Sequence, residues 1–251
     1  MRPPHDIRQQ RRLRRASAAL PCVALIICAA TIATAGDNSV NPKHAGGALD
    51  PEPFRVEWDF GYVPIDYKMI YTAPVRNIGD DTLRVREVKS TCECTVPTLP
   101  ERTLPPGSSS TLTVSFNTKD FYGPQERFVE IHSSDPRAPE RLLQFRAMVG
   151  GHPPEVDMRP RSVFNLPGSE GDTLVIRNYT DSELPFSVVY QDTALFTVET
   201  QTWSAPPQGY LAIFMRANPA LERGSYYSTF TLEFATPHPV RLSTPVKLVR
   251  Y

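Results

Sequence analysis

The chain says one thing twice. RNIGDDTL at Arg76–Leu83 and RNYTDSEL at Arg177–Leu184 are versions of one another, 101 residues apart. Gly107, ahead of one alternating run, has its counterpart in Gly209, and Gly123 in Gly224. The closing runs ERLLQFRAMVG and PVRLSTPVKLVRY also correspond. Both copies are written in short stretches that alternate apolar and polar residues. TLTVSF places Leu112, Val114 and Phe116 on one face, and RFVEIH sets Phe128 or Val129 beside Ile131. TLVIRN, FSVVY, YLAIFM, TFTLEF and PVKLVRY continue the habit. The 26 prolines punctuate these runs, and no window carries a helical stripe of useful length. Short strands separated by turn signals predict an all-β fold, a sandwich or barrel, built twice in tandem.

The boundary between the copies is expected near Gly150–Pro154, which gives domains over residues 53–150 and 151–251. A short junction containing proline predicts two domains held semi-rigidly in line. Residues 36–52, GDNSVNPKHAGGALDPE, are polar, rich in Gly, Pro and Asn, and without apolar period. They read as a flexible spacer. Asn77–Asp81 and LPPGSSS at Leu104–Ser110 read as turns. Trp58 and Phe60 lie two apart in VEWDFG, so one strand face carries both rings, as core aromatics or as a ligand platform.

Six arginines precede Ala16, an apolar run follows to Ala33, and Ala33-Thr34-Ala35 ends it in small residues. That order is a secretory signal over residues 1–35, with cleavage expected between Ala35 and Gly36. The alternative is an uncleaved anchor with its arginines on the cytoplasmic side, the one route by which the chain would touch a membrane. On either reading the body is exported, to the periplasm, cell envelope or exterior. The twin arginines at 11–12 and 14–15 fit a twin-arginine signal poorly, and Ile27 before Cys28 argues against lipidation. The formal charge of zero hides an asymmetry: without residues 1–35, 21 basic and 26 acidic residues remain, a net −5. Such a body lacks the basic face that a nucleic-acid partner requires.

Cys92 and Cys94 in KSTCECTVPT are the cysteines beyond the leader. In an extended strand, residues i and i+2 lie about 6.6 Å apart on one face. A disulfide needs Cβ atoms about 3.5–4.5 Å apart. A Cys92–Cys94 bond therefore requires a local turn, and it would be strained and easily reduced. As a staple it closes too small a loop to stabilise the chain. Two thiolates also suit copper(I), while zinc wants four ligands, and no histidine is near in sequence. A third reading is packing: both residues as small buried strand positions. At the 101-residue offset they fall on Thr193 and Leu195, so the second copy builds its fold without thiols.

WDFGYV, VRNIGDDTLRVREVKSTCECTVP, PPGSSSTLTVSFNT and VEIHSSDP, in that order, resemble the bacterial domain of unknown function 1573 (DUF1573) over about residues 53–150. That family is regarded as immunoglobulin-like, similar to the ASPM/SPD-2/Hydin (ASH) domain and to major sperm protein. Together with the internal repeat, the resemblance implies two tandem immunoglobulin-like β-sandwiches, and the family it points to has a binding or scaffolding role without agreed activity. One departure is Glu93, where the family often has Gly between the cysteines. No G-x-S-x-G, H-E-x-x-H, P-loop, dinucleotide or EF-hand pattern occurs. Asn178-Tyr179-Thr180 is formally a glycosylation sequon, of little meaning if the source is bacterial, as the resemblance implies. The sequence thus leads to an exported, non-enzymatic module with a protein or envelope partner, acting in adhesion, scaffolding or assembly. The alternative is a thiol–disulfide or copper(I)-handling protein centred on Cys92 and Cys94.

Overall fold

The computed structural model describes residues 46–54, 57–161, 164–167 and 171–251, with backbone alone over 164–167. The leader, with Ala35 and Gly36, lies outside the described residues, as does the spacer up to residue 45. The described residues belong to one compact unit. Apart from one 3₁₀ turn at Glu52–Phe54, its regular structure is all strand. The first copy contributes β1 (Trp58–Val63), β2 (Lys68–Arg76), β3 (Leu83–Ser90), β4 (Thr95–Thr98), β5 (Thr103–Leu104), β6 (Ser109–Asn117), β7 (Gly123–Ser133) and β8 (Glu140–Val149). The second contributes β9 (Val156–Arg159), β10 (Phe164–Pro167), β11 (Asp172–Asn178), β12 (Leu184–Tyr190), β13 (Phe196–Glu199), β14 (Ser204–Ala205), β15 (Tyr210–Ala217), β16 (Gly224–Phe234) and β17 (Val240–Arg250). β4 and β13, β5 and β14, and β7 and β16 keep the 101-residue offset residue for residue.

In the first copy, alternation decides which side chains face inward. β6 buries Leu112, Val114 and Phe116, and β7 buries Val129 and Ile131, leaving Phe128 half-buried. One sheet of the first sandwich runs β2-β6-β4, and Leu49 adds a bridge to Asn77 at the end of β2. The facing sheet runs β1-β8-β7-β3-β5. The second sandwich pairs β9-β11-β15-β13 with β14-β12-β16-β17, and β10 joins β17 in parallel. This is the immunoglobulin arrangement: strands A, B, E and D form one sheet, C, F and G the other, and the first strand divides between the two. The hydrophobic cores stay separate, one built from residues between Leu49 and Val149, the other between Val156 and Leu248.

The repeated R-N motif has a structural reason. Asn77 is fully buried and donates through Nδ2 to the Asp81 and Leu104 carbonyls, both at 2.8 Å. Its Oδ1 accepts from the amides of Ala48 (3.1 Å) and Gly79 (2.9 Å). Asn178, equally buried, donates to the carbonyls of Ser182 (2.8 Å), Ala205 (3.1 Å) and Pro206 (3.0 Å). Its Oδ1 accepts from the Thr180 amide and hydroxyl, both at 2.8 Å. Each asparagine thus satisfies the backbone of a turn that no ladder could reach.

Two expectations need correction. The described part of the spacer is not a spacer: Ala48 and Leu49 are buried and tied to Asn77, and Leu49 N also donates to Asp135 Oδ2 (3.1 Å). Gly47 marks a close backbone approach there, since a Cβ on it would meet the Thr82 carbonyl at 2.6 Å. Nor are the copies joined end to end by the 150–154 junction alone. β1 pairs in parallel with β8 on one side and, at Tyr62↔Leu242, with β17 on the other, so a ten-stranded sheet runs through both copies.

Candidate functional site

The cysteines occupy the corner where the chain leaves one sheet for the other. β3 lies in the sheet of β7, and β4 pairs with β6 in the facing sheet. Between them the backbone closes a turn, with Thr95 N donating to Cys92 O at 3.2 Å. Ser90 Oγ accepts from the Cys92 amide (3.2 Å), and Asn117 N donates to Cys94 O (2.8 Å), fixing both ends. This turn brings the Cα atoms to 5.3 Å, and Cys92 and Cys94 are joined as a disulfide. The packing reading fails in its particulars: the pair sits in a turn rather than a strand, and both residues are half-buried. Glu93 between them is exposed.

The two sulfurs have different surroundings. Cys94 packs against the first core, and its Sγ accepts from Arg127 Nε at 3.4 Å and lies 3.7 Å from Thr95 Oγ1. Cys92 Sγ accepts from the Cys94 amide at 2.9 Å. Arg127, on β7, is itself held. Its guanidinium donates to the Glu126 carbonyl and to Gln125 Oε1, both at 2.7 Å, and lies 4.9 Å from the Phe121 ring centre. A fixed cation beside a sulfur favours its thiolate and repels a metal cation. Among the described residues no group of three or more His, Cys, Asp or Glu could hold a metal. His132 is engaged with Glu130 Oε2 at 3.3 Å.

The sequence did not disclose the join between the copies. Phe60 is a buried core ring, as expected, but Trp58 stacks on Tyr71 (4.4 Å) and meets Tyr190 of the second copy edge-on (5.4 Å). The Tyr190 hydroxyl accepts from Thr72 N and bonds Thr72 Oγ1, both at 3.1 Å. Burial raises the pKa of both Tyr71 and Tyr190, keeping these phenols neutral. Arg241 Nη1 donates to the Asp59 carbonyl (3.1 Å), and Ser243 Oγ to the Phe60 carbonyl (2.6 Å). Gly61 sits at φ 65°, where a Cβ would collide with the Arg241 carbonyl. A missed signal lies in STFTL and LSTPV. Ser228–Leu232 and Leu242–Val246 are buried without alternation, because one face meets its own core and the other meets the first copy.

Beside this join lies a cleft of about 270 Å³, lined among others by Tyr62, Ile65, Tyr67, His152, Met158 and Arg161. Its buried carboxylate, Asp157, receives Arg161 Nε and Nη2 (2.6 and 2.9 Å) and Arg159 Nε (3.0 Å). Burial alone would raise the Asp157 pKa; the two guanidiniums outweigh it and hold the carboxyl below its ordinary range. Among the described residues no helix is long and apolar enough to cross a membrane.

Residues 54–149 match the family described as "Protein of unknown function (DUF1573)". No curated protein was found to match the chain. Among solved structures, it is similar to a protein of unknown function from Porphyromonas gingivalis W83, at 13% identity and TM-score 0.34, over 77% of this chain and 96% of that one. It is also similar to WR4, a C. elegans MSP family member, at 15% identity and TM-score 0.30, over 39% of this chain and 98% of that one. The ASH/PapD-like domain 7 of human CEP192 matches at 17% identity and TM-score 0.31, over 40% of this chain and 91% of that domain.

Proposed function

We propose that this chain, which carries a DUF1573 domain over residues 54–149, is a non-enzymatic binding or scaffolding module, exported to the cell envelope. Its partner is a protein or another envelope component. The observation that supports this reading is the join. β1 completes a sheet across both sandwiches, and Trp58, Tyr71 and Tyr190 lock the contact, so two immunoglobulin-like bodies present their surfaces at a fixed angle. A scaffold needs that geometry, because two contacts held at one spacing reinforce each other far more than two on a loose tether. Export is supported by the charged, apolar, small-residue order of the leader.

The test places photo-crosslinking residues at the exposed positions Tyr122 in the first copy and Tyr227 in the second, in cells of the source bacterium. Both positions are expected to capture the same envelope component, from a fraction outside the cytoplasm. Capture should weaken when Gly61→Val separates the copies. Recovery from the cytoplasm, or capture indifferent to Gly61→Val, would defeat the proposal.

A further inference from the structure

We infer that the Cys92–Cys94 disulfide is an exchange site, a two-electron acceptor for a dithiol of another polypeptide, with Cys92 as the sulfur attacked and Cys94 as the leaving sulfur. This inference is independent of the scaffolding reading. Its basis is the asymmetry of the corner. Cys94 Sγ faces the core and the Arg127 guanidinium, with Nε at 3.4 Å, while Cys92 has no place in that core. An incoming thiolate therefore reaches Cys92 from the open side of the turn, with Cys94 behind it. Each sulfur already has the donor its thiolate would need: Arg127 Nε for Cys94, and the Cys94 amide at 2.9 Å for Cys92. Donors that stabilise the thiolates make a disulfide more oxidising, and a low-pKa thiol leaves faster. A disulfide serving only to brace the fold would gain little here, because the loop it closes has a sequence separation of two.

The exchange balances without another reagent. A partner thiolate attacks Cys92 Sγ; the partner–Cys92 bond forms as the Cys92–Cys94 bond breaks, and the electron pair leaves on Cys94 Sγ beside Arg127. The partner's second thiolate then attacks its own mixed-disulfide sulfur and expels Cys92 as a thiolate. The partner has lost two electrons and become a disulfide. Cys92 and Cys94 have gained those electrons, and the two protons from the partner's thiols pass to solvent or to the new thiolates. Arg127 acts as a positioning residue and touches no carbon or sulfur of the partner.

The experiment equilibrates the full chain, purified without reductant, in mixtures of reduced and oxidised glutathione. After an acid quench, intact mass and peptide mapping locate the adduct. The expected result is a titratable disulfide with glutathione trapped on Cys92. Arg127→Leu should shift the equilibrium toward the disulfide, by about tenfold at a pH above the thiol pKa and by less below it, the effect of one pK unit on one thiolate. Arg127→Lys should restore part of that shift, since its charge remains. In Cys92→Ser, the alkylation of Cys94 should show a pH midpoint below the ordinary value of about 8.5, and Arg127→Leu should raise it. This midpoint would not move if Arg127 merely packed on Phe121. The inference fails if oxidised protein carries two free thiols, if glutathione maps to Cys94, or if neither Arg127 variant shifts the equilibrium. If Arg127→Leu fails to fold, Arg127→Lys decides the matter by the same two readings.

Discussion

Replacing Asn77 by alanine removes one side chain and orphans four backbone groups. The Ala48 amide, the Gly79 amide and the Leu104 carbonyl are buried where Asn77 meets them, and the Asp81 carbonyl is partly so. A buried group left without a partner costs about 1–3 kcal/mol. At the low end for each, with one group recovering water, the loss is about 3–4 kcal/mol. Asn178→Ala is the internal control. Of its contacts, only that with the Ala205 carbonyl is fully buried; those with Ser182, Pro206 and Thr180 are partly exposed and can be rehydrated. The second substitution should therefore cost less, about 1 kcal/mol by the same count. The assay is urea unfolding of both variants against the parent chain, with thermal melts alongside. At roughly 3 °C for each kcal/mol in a chain of this size, Asn77→Ala should lower Tm by about 10 °C and Asn178→Ala by about 3 °C. Equal losses, or a larger loss at Asn178, would refute the reasoning, because burial of the orphaned groups is the only difference it uses.

Asp157→Asn should destabilise the chain at neutral pH, since Arg159 and Arg161 lose their shared carboxylate. It should also flatten the acid limb of the stability curve. A carboxyl held lower in the folded chain than in the unfolded one contributes stability above its unfolded pKa, about 3.9, and loses it as pH falls through the folded value. Denaturant midpoints between pH 5 and the acid transition check this; parallel curves for variant and parent would contradict it. Gly61→Val asks a branched residue to adopt φ 65°, a cost of about 1–2 kcal/mol, and drives Cβ into the Arg241 carbonyl. The copies should part there, and small-angle scattering should show a larger radius of gyration with each sandwich still folded; an unchanged profile would count against the join. Tyr190→Phe should cost about 1 kcal/mol for the lost Thr72 bonds. Tyr190→Ala, which also strips the contacts to Trp58 and Tyr71, should cost about 3–5 kcal/mol in the same unfolding assay.

The residues whose reasons are local were legible, and those whose reasons lie across the molecule were not. Leu112, Val114 and Phe116 announced an inward face because strand geometry alone fixes the period. RFVEIH left Phe128 and Val129 undecided, because two adjacent apolar residues fit either phase; pairing of Val129 with Leu143 across β7 and β8 settles it. The repeated Asn was visible as a letter, but its use depends on carbonyls 27 residues on, at Leu104 and Ala205. Gly61 looked like part of an aromatic motif, and its necessity comes from Arg241, in the other copy. Ser228, Thr229, Thr231, Ser243 and Thr244 lie on β16 and β17. They are buried because Ile70 N donates to Thr229 Oγ1 (2.7 Å) and Ser243 reaches Phe60, contacts that no period encodes.

The same long-range contact bears on why one copy has thiols and its sister has none. The exchange corner is a trio, Cys92, Cys94 and Arg127, and at the repeat offset all three positions differ together: Thr193, Leu195 and Ser228. Ser228 is 2% exposed, on a strand whose outer face is covered by the first copy. Arg127 is half-buried at the edge of its core, with its guanidinium free to lie over Phe121 and reach Cys94. An arginine at 228 would have to desolvate its charge inside the join, at a cost of several kcal/mol. Packing β16 and β17 of the second copy against the first thus excludes from that copy the cation the corner depends on. A restored Thr193→Cys/Leu195→Cys pair should consequently behave differently from the natural one. Without a guanidinium beside it, the second sulfur would leave as an ordinary thiol, and the restored disulfide should be less oxidising than Cys92–Cys94 in the same glutathione titration. Equal potentials for the two corners would mean that the turn alone sets the chemistry, and that Arg127 has no part in it.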